Sequence, residues 1–388
     1  MSLPASPSLR AACLVAPGRM EVRNVPGVAP GPRDLLLRPV AVGLCGTDFH
    51  IFTGEANYNM DALGRPIPLE REPQILGHEV VAVVEEVGSE VRALRAGDRV
   101  VLDQGRNCVS TGRPERCEYC ATGDSHQCEH YCEHGITGLP GGLAERMVIP
   151  AVNAVRIESD VEPDVAAVTE PLACVLHTLD ATQRARTRYR IEAREGPERV
   201  RAVLIVGSGP SGLLFLQVLR NELGFQGEVL VSEPEATKRQ LAARFGATAL
   251  DPTACDLLAQ VDERTSGRKV ELLIDASGSG PLWELVPGLV RKQATIVMYG
   301  HGHGGVGMEL FNNVQFREPA LVATVGASGG FDADGRPSVY RRALRLIEEG
   351  RVEARALVTH RYEGLDSIPR AFSGEHRRPG YVKGVAVL

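Results

Sequence analysis

The chain has 388 residues, 43% of them hydrophobic and 24% charged, with one Trp and a formal net charge of −6. That length suits about two domains, the composition excludes a disordered or fibrous chain, and the acidic balance gives nucleic acid no electrostatic footprint. No apolar run reaches the roughly 18 residues of a membrane span, and Met1 to Ser6 lack a signal-peptide pattern, so a cytoplasmic protein is expected.

The first 150 or so residues read as mostly β. Leu35 to Leu37, Val80 to Val87 and Arg99 to Leu102 are apolar or β-branched runs separated by Pro-Gly, Gly-Pro and Gly-Asp turn pairs. Many short strands with frequent turns predict a barrel-like β-domain. Two stretches inside it carry chemistry: Cys45-Gly46-Thr47-Asp48-Phe49-His50 and Gly77-His78-Glu79. Cys45 alone could be a core thiol, and His78 alone a hydrogen-bonded histidine. Together they offer the thiolate, imidazole and carboxylate from which a catalytic zinc site is made. The stretch between them, Ile51 to Leu76, is a long loop of the kind that walls a substrate cleft.

Nine cysteines occur in the chain, and four of them, Cys108, Cys117, Cys120 and Cys128, lie close together in sequence. In a reducing compartment such a cluster binds metal rather than forming disulfides, and a closed four-sulfur site is structural. The gap from Cys108 to Cys117 is wide. A looped-out segment Val109 to Arg116 would keep Cys108 as a ligand, and Cys132 competes for the place, with His126, His130 and His134 as outside candidates. Further on, Thr169-Glu170-Pro171 opens a helix. There Glu170 suits the positive end of the helix.

The second half changes character. Arg201 to Val206 is an unbroken apolar strand running into Gly207-Ser208-Gly209-Pro210-Ser211-Gly212, and a helix is predicted from Leu213 to Leu223. A G-x-G-x-x-G between strand and helix lets the backbone approach a pyrophosphate at the helix N-terminus. The next strand, Val229 to Ser232, ends at Glu233, whose carboxylate suits a ribose hydroxyl and repels a 2′-phosphate. That favours NAD, while Lys238 and Arg239 keep NADP open. Glu271 to Gly278 and Ala294 to Gly300 are further strand-then-glycine units, which place Ser277 and Gly300 toward the nicotinamide half of a dinucleotide. Their alternation with helices predicts a doubly wound α/β sheet. A helix is expected over Arg341 to Arg351 and a closing strand over Val382 to Leu388. The arginine-rich stretch Arg184 to Arg201 reads as a solvated helix or loop.

These motifs resemble the zinc-dependent medium-chain dehydrogenase/reductase (alcohol dehydrogenase) superfamily, in particular its polyol, threonine and sugar dehydrogenase branch, over nearly the whole chain. The resemblance implies an α/β protein with a GroES-like β-barrel catalytic domain over residues 1–178, a Rossmann domain over 179–325 and a return segment over 326–388. It implies Cys45 and His78 as zinc ligands, Asp48 as the carboxylate orienting the imidazole, and Glu79 as a ligand or close neighbour. Glu170 would be a third protein ligand, directly or through water, with Cys174 as its substitute. The implied reaction is reversible oxidation of a small alcohol, polyol or sugar, with Zn2+ and NAD as cofactors, NADP being the weaker candidate. Thr47 would take the hydroxyl proton and His50 pass it to solvent. A homodimer or homotetramer is usual for such relatives. Competing readings are oxidation at a sugar anomeric carbon, a zinc-free quinone or enone reductase, and a nucleotide-binding protein without turnover.

Overall fold

The computed structural model describes residues 8–388. It divides into two units: the first holds the chain up to Ala173 together with Ala327–Gly350 and Ala354–Leu388, and the second holds Cys174–Gly326 with Arg351–Glu353. The boundary thus falls inside the helix Thr169–Arg184.

The first unit is built on a seven-stranded sheet. Its order is Ala154–Arg156, Arg99–Leu102, Glu79–Val87, Asp34–Leu44, Lys383–Val387 and Val358–Glu363, with Met147–Pro150 also pairing with Asp34–Leu44. All neighbours are antiparallel except the final pair. A small sheet places Leu9–Ala16 between Arg19–Val25 and Gln74–Ile75. Leu14, Leu35, Leu37, Leu76, Leu102, Leu143 and Ile149 fill the core. The long central strand tolerates Pro39 because the pairing is irregular between Pro39 and Ala41, where a ladder donor is not needed.

That central strand is also where the site is organised. Gly43 pairs with Glu79 on one side and Val385 on the other. A methyl group on Gly43 would lie 1.9 Å from Glu79 Oε2, so glycine leaves room for the buried Glu79 side chain to pass over the strand. Directly after this strand the helix Gly46–Thr53 begins, with Cys45 at its N-cap and Gly54 closing it in the left-handed conformation.

The second unit is a six-stranded parallel sheet in the order Thr248–Leu250, Glu228–Ser232, Ala202–Val206, Val270–Asp275, Val290–Met298 and Ala320–Ala323. This is the doubly wound order 3-2-1-4-5-6 of dinucleotide-binding sheets. Ala202–Val206 and Val270–Asp275 are buried along their whole length, as strands covered on both faces must be.

Helix boundaries differ from the sequence reading in two places. The helix after the glycine-rich turn begins at Pro210, not Leu213, since proline suits a first helical position. The late helix spans Ser338–Glu348 and stops before Gly350, short of the expected Arg351. Beyond Arg184 the arginine-rich stretch is non-helical, with only an isolated bridge between Arg190 and Arg199.

Candidate metal centre and cofactor turn

One strand end, one helix start and one neighbouring strand bring the first group together. A sulfur of Cys45, a ring nitrogen of His78 and a carboxylate oxygen of Glu79 all lie within 4.8 Å of one another. Asp48 ties the two segments. Its Oδ2 accepts from the Cys45 backbone N–H at 2.8 Å, and its Oδ1 accepts from the Gly77 N–H at 3.2 Å. The same Oδ1 lies 3.5 Å from His78 Nδ1, which leaves the other ring nitrogen for a metal. Burial works to lower the His78 pKa, but the Asp48 carboxylate and the Cys45 sulfur outweigh it and hold the imidazole well above its ordinary value.

Two observations show that a divalent cation fits here. Glu79 Oε2 is buried and has no hydrogen-bond partner among the described residues, an unusual state for a carboxylate oxygen. Its other oxygen, Oε1, accepts from Lys383 Nζ, and both side chains are almost wholly buried. Lys383 also feels the negative groups of Cys45 and Glu170. Lys383 thus faces three potential anions, and a metal ion would help to balance them.

Glu170 lies outside that three-residue group. It sits in the first turn of Thr169–Arg184, buried, with its Oε1 accepting from Gln104 Nε2 at 3.0 Å. Thr47 is partly exposed on the helix Gly46–Thr53, with Oγ1 3.8 Å from Cys45 Sγ. His50, one turn further along, pairs through Nδ1 with Glu55 Oε2 at 2.7 Å and is about a third exposed.

The second group is the cysteine lobe. The sulfurs of Cys108, Cys117, Cys120 and Cys128 lie within 4.8 Å of one another, with Cys108 and Cys128 at 3.6 Å and Cys117 and Cys128 at 3.8 Å. Four thiolates around zinc with Zn–S bonds of about 2.3 Å would stand roughly 3.8 Å apart, so the lobe fits the ion. The structure brings Cys108 in by folding out the intervening loop, which Arg113 N–H closes onto the Cys108 carbonyl at 2.9 Å. Cys132 instead lies in the short strand Cys132–Glu133, outside the group. His126 is occupied elsewhere: its Nε2 pairs with Asp103 at 2.9 Å and its Nδ1 accepts from Ala327 N–H at 2.8 Å. Backbone N–H groups, that of Cys120 first, draw the Cys117 thiol down to about 7, which eases its conversion to the ligand form.

In the second unit the turn Gly207-Ser208-Gly209 leads into the helix at Pro210 and Ser211. A side chain at Gly212 would meet the Gly207 carbonyl at 2.0 Å, so only glycine permits this close approach of helix and turn. Glu233 lies beneath the turn, its Oε2 accepting from Ser208 N–H at 2.8 Å and its Oε1 from Glu235 N–H at 2.9 Å. Arg239 is engaged by Asp251 at 2.8 Å and by the carbonyls of Glu233 and Pro234, and the backbone N–H of Lys238 is capped by Glu235. Ser277 and Gly300 both attach to Asp275 at the end of its strand, the first through its hydroxyl at 2.8 Å and the second through its N–H at 2.7 Å.

Comparison with known proteins gives the family. The family profile for the alcohol dehydrogenase GroES-like domain matches residues 31–159, and that for zinc-binding dehydrogenases matches residues 210–349. The chain belongs to the zinc-binding dehydrogenase family. It is similar to L-threonine 3-dehydrogenase of Pyrococcus abyssi, with 29% identity over 88% of each chain. It is likewise similar to L-galactonate-5-dehydrogenase of Escherichia coli, with 27% identity over 88% of this chain and 87% of the relative. Among solved structures, a zinc-binding dehydrogenase from Sinorhizobium meliloti 1021 bound to NADP superposes with a TM-score of 0.79 at 30% identity, covering 99% of this chain and 100% of the other. The protein is therefore an oxidoreductase of the zinc-dependent alcohol and polyol dehydrogenase type.

Sequence reasoning missed two buried residues of this dehydrogenase, Lys383 and Gln104. A lone cation inside the apolar closing strand was the available signal for Lys383. Gln104, between Asp103 and Gly105 after an apolar run, offered none. Among the described residues no helix is long and apolar enough to cross a membrane.

Proposed function

We propose that this dehydrogenase oxidises a secondary hydroxyl of a small polyol, sugar or hydroxylated amino acid and delivers the hydride to NAD. The observation that carries the reading is the convergence of Cys45, His78 and Glu79 within 4.8 Å, locked by Asp48. Zinc held there supplies a Lewis acid that makes a neighbouring hydroxyl more acidic, and the nicotinamide supplies the hydride acceptor.

The remaining work falls to side chains. Glu170 is the proposed third protein ligand. Thr47, beside Cys45, accepts the substrate hydroxyl proton. His50 lies on the same helix face three residues later. With its Nδ1–H engaged by Glu55, its Nε2 is the basic nitrogen that can receive the proton and release it to solvent. The relatives named for threonine and galactonate support a small, hydroxyl-bearing substrate. Metal analysis together with NADH formation on a panel of polyols, aldoses, threonine and butanediol tests this. About two zinc ions per chain and turnover of a secondary alcohol are expected, while a zinc-free protein that reduces only enones would overturn it.

For the cofactor, Glu233 supports NAD because its fixed carboxylate would face a 2′-phosphate, and like charges so placed cost several kcal/mol. Arg239 is already neutralised by Asp251 and offers a phosphate little. Glu233→Ala is expected to raise KM for NAD by roughly tenfold, the loss of a charge-assisted acceptor, and to lower that for NADP. Steady-state kinetics with both cofactors measures it.

A further inference from the structure

We propose that Gln104 is a positioning residue: its side-chain amide, backed by Tyr340, holds the Glu170 carboxylate in the orientation the catalytic metal requires. This rests on the reading of Glu170 as a metal carboxylate. The three side chains come from distant parts of the first unit, and all are buried, with relative exposures of 3%, 0% and 6% for Gln104, Tyr340 and Glu170. Gln104 Nε2 donates to Glu170 Oε1 at 3.0 Å, and the Tyr340 hydroxyl donates to Gln104 Oε1. An ionised carboxylate can only accept, so the amide nitrogen must face Glu170, which leaves the amide oxygen for tyrosine. Each bond fixes the sense of the other.

The amide is also rigidly mounted. His134 N–H donates to the Gln104 carbonyl at 3.0 Å, and Asp103 N–H donates to the Asn153 carbonyl at 2.9 Å. On either side of Gln104, Asp103 Oδ1 accepts from Gly105 N–H at 2.8 Å and from the buried His126 ring at 2.9 Å. The Ala327 N–H fixes that ring's tautomer by donating to its Nδ1. A carboxylate held this way gives up no side-chain freedom on meeting the metal. Glutamine suits the task because it is neutral: a lysine or arginine in its place would compete with the ion for the carboxylate charge.

The test uses the full zinc-loaded chain with Gln104→Ala, Gln104→Glu, Tyr340→Phe and Glu170→Ala. Zinc affinity is read by competition with a chromophoric chelator, and ligand geometry by the visible spectrum after cobalt(II) substitution. Gln104→Ala should weaken the catalytic-site zinc by about 10–100-fold and shift the cobalt spectrum, leaving the zinc of the four-cysteine lobe unchanged. Gln104→Glu, which sets a second carboxylate against Glu170, should do the same and stands in should the alanine variant fail to fold. Tyr340→Phe should give a smaller change in the same direction. If Glu170→Ala weakens zinc while both Gln104 variants keep native affinity and spectrum, the positioning role is refuted and Glu170 stands as a ligand. If Glu170→Ala itself changes neither readout, the reading of Glu170 fails, and the role of Gln104 with it.

Discussion

Cys45→Ala should cost one zinc ion per chain and lower kcat/KM for the best alcohol substrate by roughly 10³-fold or more, since a metal Lewis acid is worth several kcal/mol at the transition state. Cys45 caps the helix Gly46–Thr53, and its sulfur is one of only three ligand atoms in the compact group with His78 and Glu79. Removing it leaves an imidazole, the Glu79 carboxylate already paired with Lys383 and the proposed ligand Glu170, a weaker set for zinc without its thiolate. The backbone bond from Cys45 N–H to Asp48 survives the change, so the first unit should stay folded and the cysteine lobe should keep its ion. Elemental analysis and steady-state kinetics on the same preparation check both halves. Retention of two zinc ions with full turnover would remove Cys45 from the centre.

Lys383→Met should be the most destabilising single change near the site. It leaves the Glu79 carboxylate buried without its cation, and breaking such a pair costs roughly 3–5 kcal/mol. Thermal melting should fall by on the order of 10 °C for a unit of this size. The double variant Lys383→Met with Glu79→Gln should recover part of the loss, because no unpaired charge remains. Burial lowers the Lys383 pKa, but Glu79 and then Cys45 raise it further, so it stands above its ordinary 10.5. A native pKa above the unfolded one gives a contribution that is complete below about pH 10.5 and is lost only as pH rises through the higher native value. The contribution of the native pair should therefore be constant between about pH 6 and about pH 9. A melting temperature equal to that of the unmodified protein would show that the pair carries no stability.

What could be read from the chain alone was whatever acts over short sequence distances. The glycine-rich turn works because Gly207 to Gly212 lie between a strand and its own helix, so geometry and sequence neighbour coincide. Thr47, Asp48 and His50 lie on the short helix that Cys45 caps, and Cys117 and Cys120 share the start of another. Even the doubly wound sheet announces itself, in the unbroken apolar run Ala202–Val206 and in the alternation of strands with helices that follows it.

Only the tertiary structure decided the rest. Glu79 and Lys383 are 304 residues apart and meet because their strands flank the same central strand, Asp34–Leu44, whose Gly43 pairs with Glu79 and has no side chain to block the Glu79 carboxylate. Gln104 meets Glu170 and Tyr340, 66 and 236 residues away, only through the folding of the first unit, to which the helix Ser338–Glu348 also belongs. Cys108 was told from Cys132 by the path of one loop, not by spacing. The physical reason is common to all three. A periodic pattern specifies which face of an element is buried, but the pairing of polar groups across elements depends on register, and register is a property of the folded sheet as a whole.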